Sequence, residues 1–78
     1  MGRRKKAPET APELSENILT IRRDKDRHTI PAWRYYTIMD TLRTMGAERL
    51  AAQDAAKWAG RAPSGATREI GPIRMEVR

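Results

Sequence analysis

Apolar residues fall along this chain in two rhythms. Ile18-Leu19-Thr20-Ile21 is a short run dominated by β-branched side chains, followed by Arg22 and Arg23. Such residues suit a pleated, half-buried surface, so a strand is expected over about 18–23, with Leu19 and Ile21 sharing one face. Near the other end, Ile73-Arg74-Met75-Glu76-Val77-Arg78 alternates apolar and charged without a break. That is the period of a second half-buried strand, over about 73–77. Between the two the spacing changes to three and four. Tyr35, Ile38, Met39, Leu42 and Met45 make one stripe and predict a helix over about 31–45, with Thr29 as its cap and Pro31 in its first turn. Gly46 is a natural stop. A second helix is expected over about 47–59, with Leu50, Ala51, Ala55 and Trp58 as its stripe and Arg49, Gln53 and Lys57 on its wet side. Asp24-Lys25-Asp26-Arg27 reads as a polar turn, and Gly60 to Thr67 as a loop.

These elements imply a small single α+β domain over residues 16–78, of order β-α-α-β, with a helical hairpin packed on a two-stranded ribbon. The alanines of the second helix favour helix formation and let another helix approach closely. Residues 1–15 have no hydrophobic period and carry Pro8, Pro12 and a mixture of charges. They are expected to form a flexible, disordered tail, basic at its start and acidic after it. A lone two-stranded ribbon is marginal and leaves two open edges. Strand addition across a homodimer would close them.

Charge alters this picture through its location. The net charge is +6, but four of those charges come from Arg3, Arg4, Lys5 and Lys6. From Ala7 onward the balance is only +2. The second basic concentration is Arg22 to Arg34. Arginine outnumbers lysine twelve to four, a bias suited to planar phosphate and carboxylate contacts. No run approaches the roughly 18 apolar residues of a membrane span. The basic start is followed by an acidic, proline-containing stretch, unlike a signal peptide. A cytoplasmic protein without membrane contact is therefore expected, and the absence of cysteine is compatible with a reducing compartment.

The side chains needed for catalysis are scarce. There is one histidine, no cysteine, and two serines (Ser15 and Ser64) with no base near them in sequence. No glycine-rich phosphate loop follows a strand. Asp24-x-Asp26-x-His28 would share one face if extended, but a polar turn with a surface histidine explains it more simply. No enzyme activity, metal or cofactor is expected.

What remains points to binding. Arg3, Arg4, Lys5 and Lys6 on a flexible arm can neutralise phosphates and release counterions. Arg22, Arg23, Arg27 and Arg34 would fix position on a nucleic-acid backbone. If Leu19 and Ile21 face inward, then Ile18, Thr20 and Arg22 face out, as do Arg74, Glu76 and Arg78 on the last strand. Pairing the two strands would gather Arg22, Arg74 and Arg78 on one face, and a two-stranded ribbon fits the major groove of DNA. Trp33 and Tyr36 are candidates for a protein interface, because aromatic and arginine side chains together form interface hot spots. The leading expectation is a non-enzymatic nucleic-acid-binding accessory or regulatory protein, with DNA the first choice of ligand. The alternative is a small inhibitor or adaptor that binds an acidic protein partner, of the kind phages and mobile elements direct at host machinery. A structural or assembly component is the third.

Overall fold

The computed structural model describes residues 16–78. Its elements run β1 (Ile18–Arg23), β2 (Asp26–Pro31), α1 (Tyr35–Thr44), α2 (Arg49–Arg61), β3 (Thr67–Ile70) and β4 (Ile73–Val77). The α+β class and the pairing of the first and last strands are as expected: β1 and β4 are antiparallel, with Leu19 opposite Val77 and Arg22 opposite Arg74. That pair is the middle of a larger sheet. Two further strands flank it, giving an all-antiparallel sheet of order β2-β1-β4-β3 and a chain order of β-β-α-α-β-β. The expected tail, residues 1–15, lies outside the described residues.

The two added strands follow from turn chemistry. Asp24 and Lys25 form the polar turn between β1 and β2, with Arg23 opposite Asp26. Asp24 has φ +55°, a conformation that aspartate tolerates better than most residues. The turn is so tight that the chain returns at once along β1, and residues 26–31 become strand. Thr29 and Pro31 are consequently part of β2 and do not open a helix. The first helix begins only at Tyr35, after Arg34 at its N-cap position. At the other hairpin Gly71, with φ +56°, and Pro72 connect Ile70 to Ile73. Glycine at the first position of a two-residue turn supplies the positive φ that such hairpins require. It makes β3 from Thr67, the last residue of the expected loop, and Arg68 to Ile70, to which the sequence pattern assigns no element.

Both edges of the central pair are thus covered within the chain, which removes the reason for closing them with a second copy. The outer strands are themselves poor templates for further pairing. β2 is polar from Asp26 to Thr29 and ends in Pro31, and β3 is only four residues long.

One face of the sheet carries the helices. Leu19, Ile21, Ile30, Ile73, Met75 and Val77 point into it and meet Ile38 and Leu42 from α1 and Met45 just beyond its end. The stripe of α1 is as expected, with Tyr35 and Met39 half-buried at its margin. In α2 the buried residues are Ala52, Ala55, Ala56 and Ala59, whereas Leu50 is 60% exposed. The helix is rotated from the expected stripe because its smallest side chains permit the closest packing of its backbone on its neighbours. Its start is two residues later than expected because Met45 to Glu48 form the connection.

That connection is held from both sides. The N–H of Gly46 donates to the Arg43 carbonyl at 3.0 Å and that of Ala47 to the Leu42 carbonyl at 2.9 Å. With Gly46 at φ +108° and both Leu42 and Ala47 buried, this is a Schellman C-cap with its hydrophobic contact. From the sheet, Arg23 Nη1 donates to the Met45 carbonyl, placing a cation at the negative end of the helix. Gly46 leaves the room for it: a Cβ there would lie 2.6 Å from Arg23 Nη1.

Gly46→Ala is expected to destabilise the domain by about 2 kcal/mol or more, from the positive φ and the clash together. Arg23→Ala should cost about 1–2 kcal/mol. In a double-mutant cycle measured by urea denaturation, the two losses should fall short of additivity, because the second change removes the atom that the first strikes.

Candidate nucleic-acid interface

The sheet has a second face, which the helices leave open. Side chains alternate along a strand, so residues Ile18, Thr20 and Arg22 of β1 point away from the core. The register places partners beside each of them. Arg22 lies between Arg27 of β2 and Arg74 of β4, and Arg74 lies beside Glu69 of β3. Thr20 lies between Thr29 and Glu76, and Glu76 lies beside Thr67. Ile18 pairs with Pro31 on one side and exchanges two backbone hydrogen bonds of 2.9 Å with Arg78 on the other. The face therefore consists of three transverse rows. One is basic, one combines hydroxyls with a carboxylate, and one is apolar with Arg78 at its side. Most of it lines a shallow concavity of ≈ 240 Å³.

Three arginines on three neighbouring strands stand in one row. Adjacent strands are about 4.8 Å apart, and like charges directly opposite each other destabilise a sheet. Arg74 is relieved by Glu69, Nε to Oε2 at 3.3 Å. Among the described residues no carboxylate pairs with Arg22 or Arg27. Both side chains are exposed, so the repulsion is moderated by water and salt but is not cancelled by the protein.

The expected site residues divide among several places. Arg22, Arg74 and Arg78 come together on the open face as the alternation implied. Arg27 joins them, although the sequence reading put it in a turn. Arg23 points to the opposite face, where its guanidinium is engaged by the Met45 carbonyl. Arg34 lies at the entrance to α1, with its guanidinium 4.5 Å from the centre of the Trp33 ring. Trp33 belongs to the turn before α1 and Tyr36 to its first turn, so they do not share a helical face; they are 41% and 73% exposed. Tyr36 meets Tyr35 edge-on at 4.9 Å. Arg3, Arg4, Lys5 and Lys6 lie outside the described residues. Thr67 and Glu69 have no role in the sequence reading, and Thr29 has one only as a helix cap. The only signal for them was the two-residue spacing from Arg27 and the turn at Gly71-Pro72, each visible only once the flanking segment is taken as strand.

The remaining chemistry is sparse. Among the described residues no group of three His, Cys, Asp or Glu side chains is placed to hold a metal ion, and no helix is long and apolar enough to cross a membrane. Asp26 and His28 are exposed on the edge strand β2, while Asp24 is in the turn. No protein-family model, curated protein or solved structure matches the chain.

If the arginine row is a repulsive feature of the unliganded protein, Arg22→Gln should raise stability by about 0.2–1 kcal/mol at low ionic strength. Thermal melts in 20 mM and 500 mM salt check this: the gain should shrink as salt screens the row.

Proposed function

We propose that this protein is a non-enzymatic nucleic-acid-binding accessory or regulatory protein, and that the open sheet face binds the sugar–phosphate backbone. The observation that supports this reading is the alignment of Arg22, Arg27 and Arg74 across three strands with one carboxylate, Glu69, paired to them. A sheet gains nothing in stability from such a row, whereas an anionic ligand relieves it. Guanidinium groups bind phosphate oxygens in a planar, two-point fashion. Arg78 extends the cationic surface along β4, and the cluster Arg3 to Lys6 would add a general electrostatic attraction. The major-groove mode is the less suitable one. Three gaps of about 4.8 Å make the sheet about 14 Å across between its outer strands, against a groove about 12 Å wide. Backbone contact along the face does not meet that obstacle.

A second reading rests on Trp33 and Tyr36. Both are exposed beside an arginine at the start of α1, a composition shared with protein-interface hot spots. It makes the chain an inhibitor or adaptor for an acidic protein.

Three phosphate contacts predict that affinity for a labelled oligonucleotide falls about 20–40-fold between 50 and 200 mM salt. Replacing Arg22 and Arg74 together by Gln should reduce the slope of log affinity against log salt by about 1.4–1.8. Affinity indifferent to salt, or to this double change, rejects the sheet face as the site. Trp33→Ala with Tyr36→Ala should leave oligonucleotide binding within about twofold; a collapse of binding would move the site to α1.

A further inference from the structure

The open face is graded along its strands, and the grading has the order of a nucleotide. At the end nearest the two hairpin turns is the arginine row. Two residues further along, about 6.7 Å away, lies the row of Thr29, Thr20, Glu76 and Thr67. A further two residues on, Pro31 and Ile18 form an apolar surface, with Ile18 38% exposed and Arg78 beside it on the other side. Cation, hydroxyl and carboxylate, then apolar surface match phosphate, sugar and base in turn.

Glu76 is the informative member. A carboxylate in the middle of a phosphate-binding face opposes the ligand unless it accepts a hydrogen bond from it. Among the described residues it has no ion-pair partner and no side-chain hydrogen bond; Arg74 pairs with Glu69 instead. Its cross-strand neighbours, Thr20 and Thr67, carry hydroxyls. A ribose 2′-hydroxyl is the donor that such an acceptor would find in RNA and not in DNA. Access to the sugar and base from one flat face also requires that the base be unpaired. In a duplex the bases face each other, and the sheet would meet the backbone and groove edges but no free base face. Neither hairpin projects as a separate ribbon that could enter a groove, because both turns finish at the same end of the sheet: Arg22 and Arg74 are opposite one another, each one residue from the end of its strand.

We propose that the ligand of this face is single-stranded RNA, with its phosphates along the Arg27–Arg22–Arg74 row, a ribose 2′-hydroxyl donating to Glu76, and a base resting on Ile18 and Pro31. This rests on the nucleic-acid reading above and adds to it the strand state and the sugar. The face carries no aromatic side chain, so stacking contributes little, and hydrogen bonding at the sugar sets the preference.

The test uses the full chain and fluorescein-labelled 12-mers of one mixed sequence as single-stranded RNA, single-stranded DNA and duplex RNA, titrated by anisotropy in 50 mM salt. Single-stranded RNA should bind about 5–10-fold more tightly than single-stranded DNA, the effect of one partly solvated hydrogen bond to a charged acceptor, and more tightly than duplex RNA, whose paired bases cannot rest on Ile18 and Pro31. Glu76→Ala should bring the RNA-to-DNA ratio close to one while the melting curve stays cooperative. Thr67→Val, a neighbour in the same row, should leave most of the ratio in place. Equal binding of RNA and DNA, tighter binding of the duplex, or a ratio that survives Glu76→Ala overturns the inference and leaves the nucleic-acid reading standing. Failure of all three, and of a duplex DNA 12-mer of the same sequence, to bind removes both.

Discussion

Pairing residues 18–23 with residues 73–77 closes a loop of about fifty residues, and every other part of the domain is arranged around that closure. The entropy of bringing the ends together grows slowly with loop length and amounts to about 3–4 kcal/mol plus a constant for fifty residues. Against it stand Leu19, Ile21, Ile73, Met75 and Val77, each 2% exposed or less. Full burial of one such side chain is worth about 1.5–3 kcal/mol, so a few of them offset the closure. β2 then adds to β1, and β3 to β4, through two-residue turns that require almost no loop closure of their own. α1 and α2 are carried in the long connection and cover the face on which the five side chains stand. The open face follows from the same closure: once Leu19 and Ile21 are committed inward, Thr20 and Arg22 have only one direction left.

This dependence explains what could be read from the sequence. Ile18 to Arg23 and Ile73 to Val77 are legible because half of their residues are buried, and burial leaves a period of two. The stripe Ile38, Leu42 and Met45 is legible for the same reason at a period near 3.6. To the hydrophobic core, β2 and β3 contribute only Ile30, buried, and Ile70, half-buried. Their strand character comes from hydrogen bonds to a neighbour and from turns, which have little hydrophobic signature. Thr29 and Pro31 were misleading in a specific way, because both suit a helix start as well as an edge strand. In α2 the large residues Leu50 and Trp58 pointed to one stripe, while the alanines that pack closest lie on another. Of the site, the three arginines that alternate with core residues were found from the pattern. Arg27 was recognised as basic but could not be placed beside Arg22 without β2. Arg23 shows the converse: it sits next to Arg22 in sequence, yet alternation sends it to the helix side.

Arg22 and Arg23 illustrate how the two faces divide their work. Arg23 contributes to the fold by neutralising a helix end, in a position where Gly46 leaves space for it. Arg22 has no such role among the described residues and stands between two other cations. Identical side chains one position apart therefore differ in what holds them, one engaged by a helix end and the other exposed between two cations. A scan of the chain for basic residues would count them as equivalent.

The division also bears on how such a protein can change over time. In α2 the interior is made of alanines, and any enlargement there would push helix and sheet apart. On the open face, Thr20 is buried beneath its neighbours, but the charged residues around it touch mainly cross-strand partners and solvent, so an exchange of charge or shape there disturbs little behind it. Constraint and freedom alternate residue by residue along β4 and, Thr20 apart, along β1. A lineage carrying this domain could change the chemistry of its open face by altering the exposed positions of two strands, and inherit the rest of the fold intact.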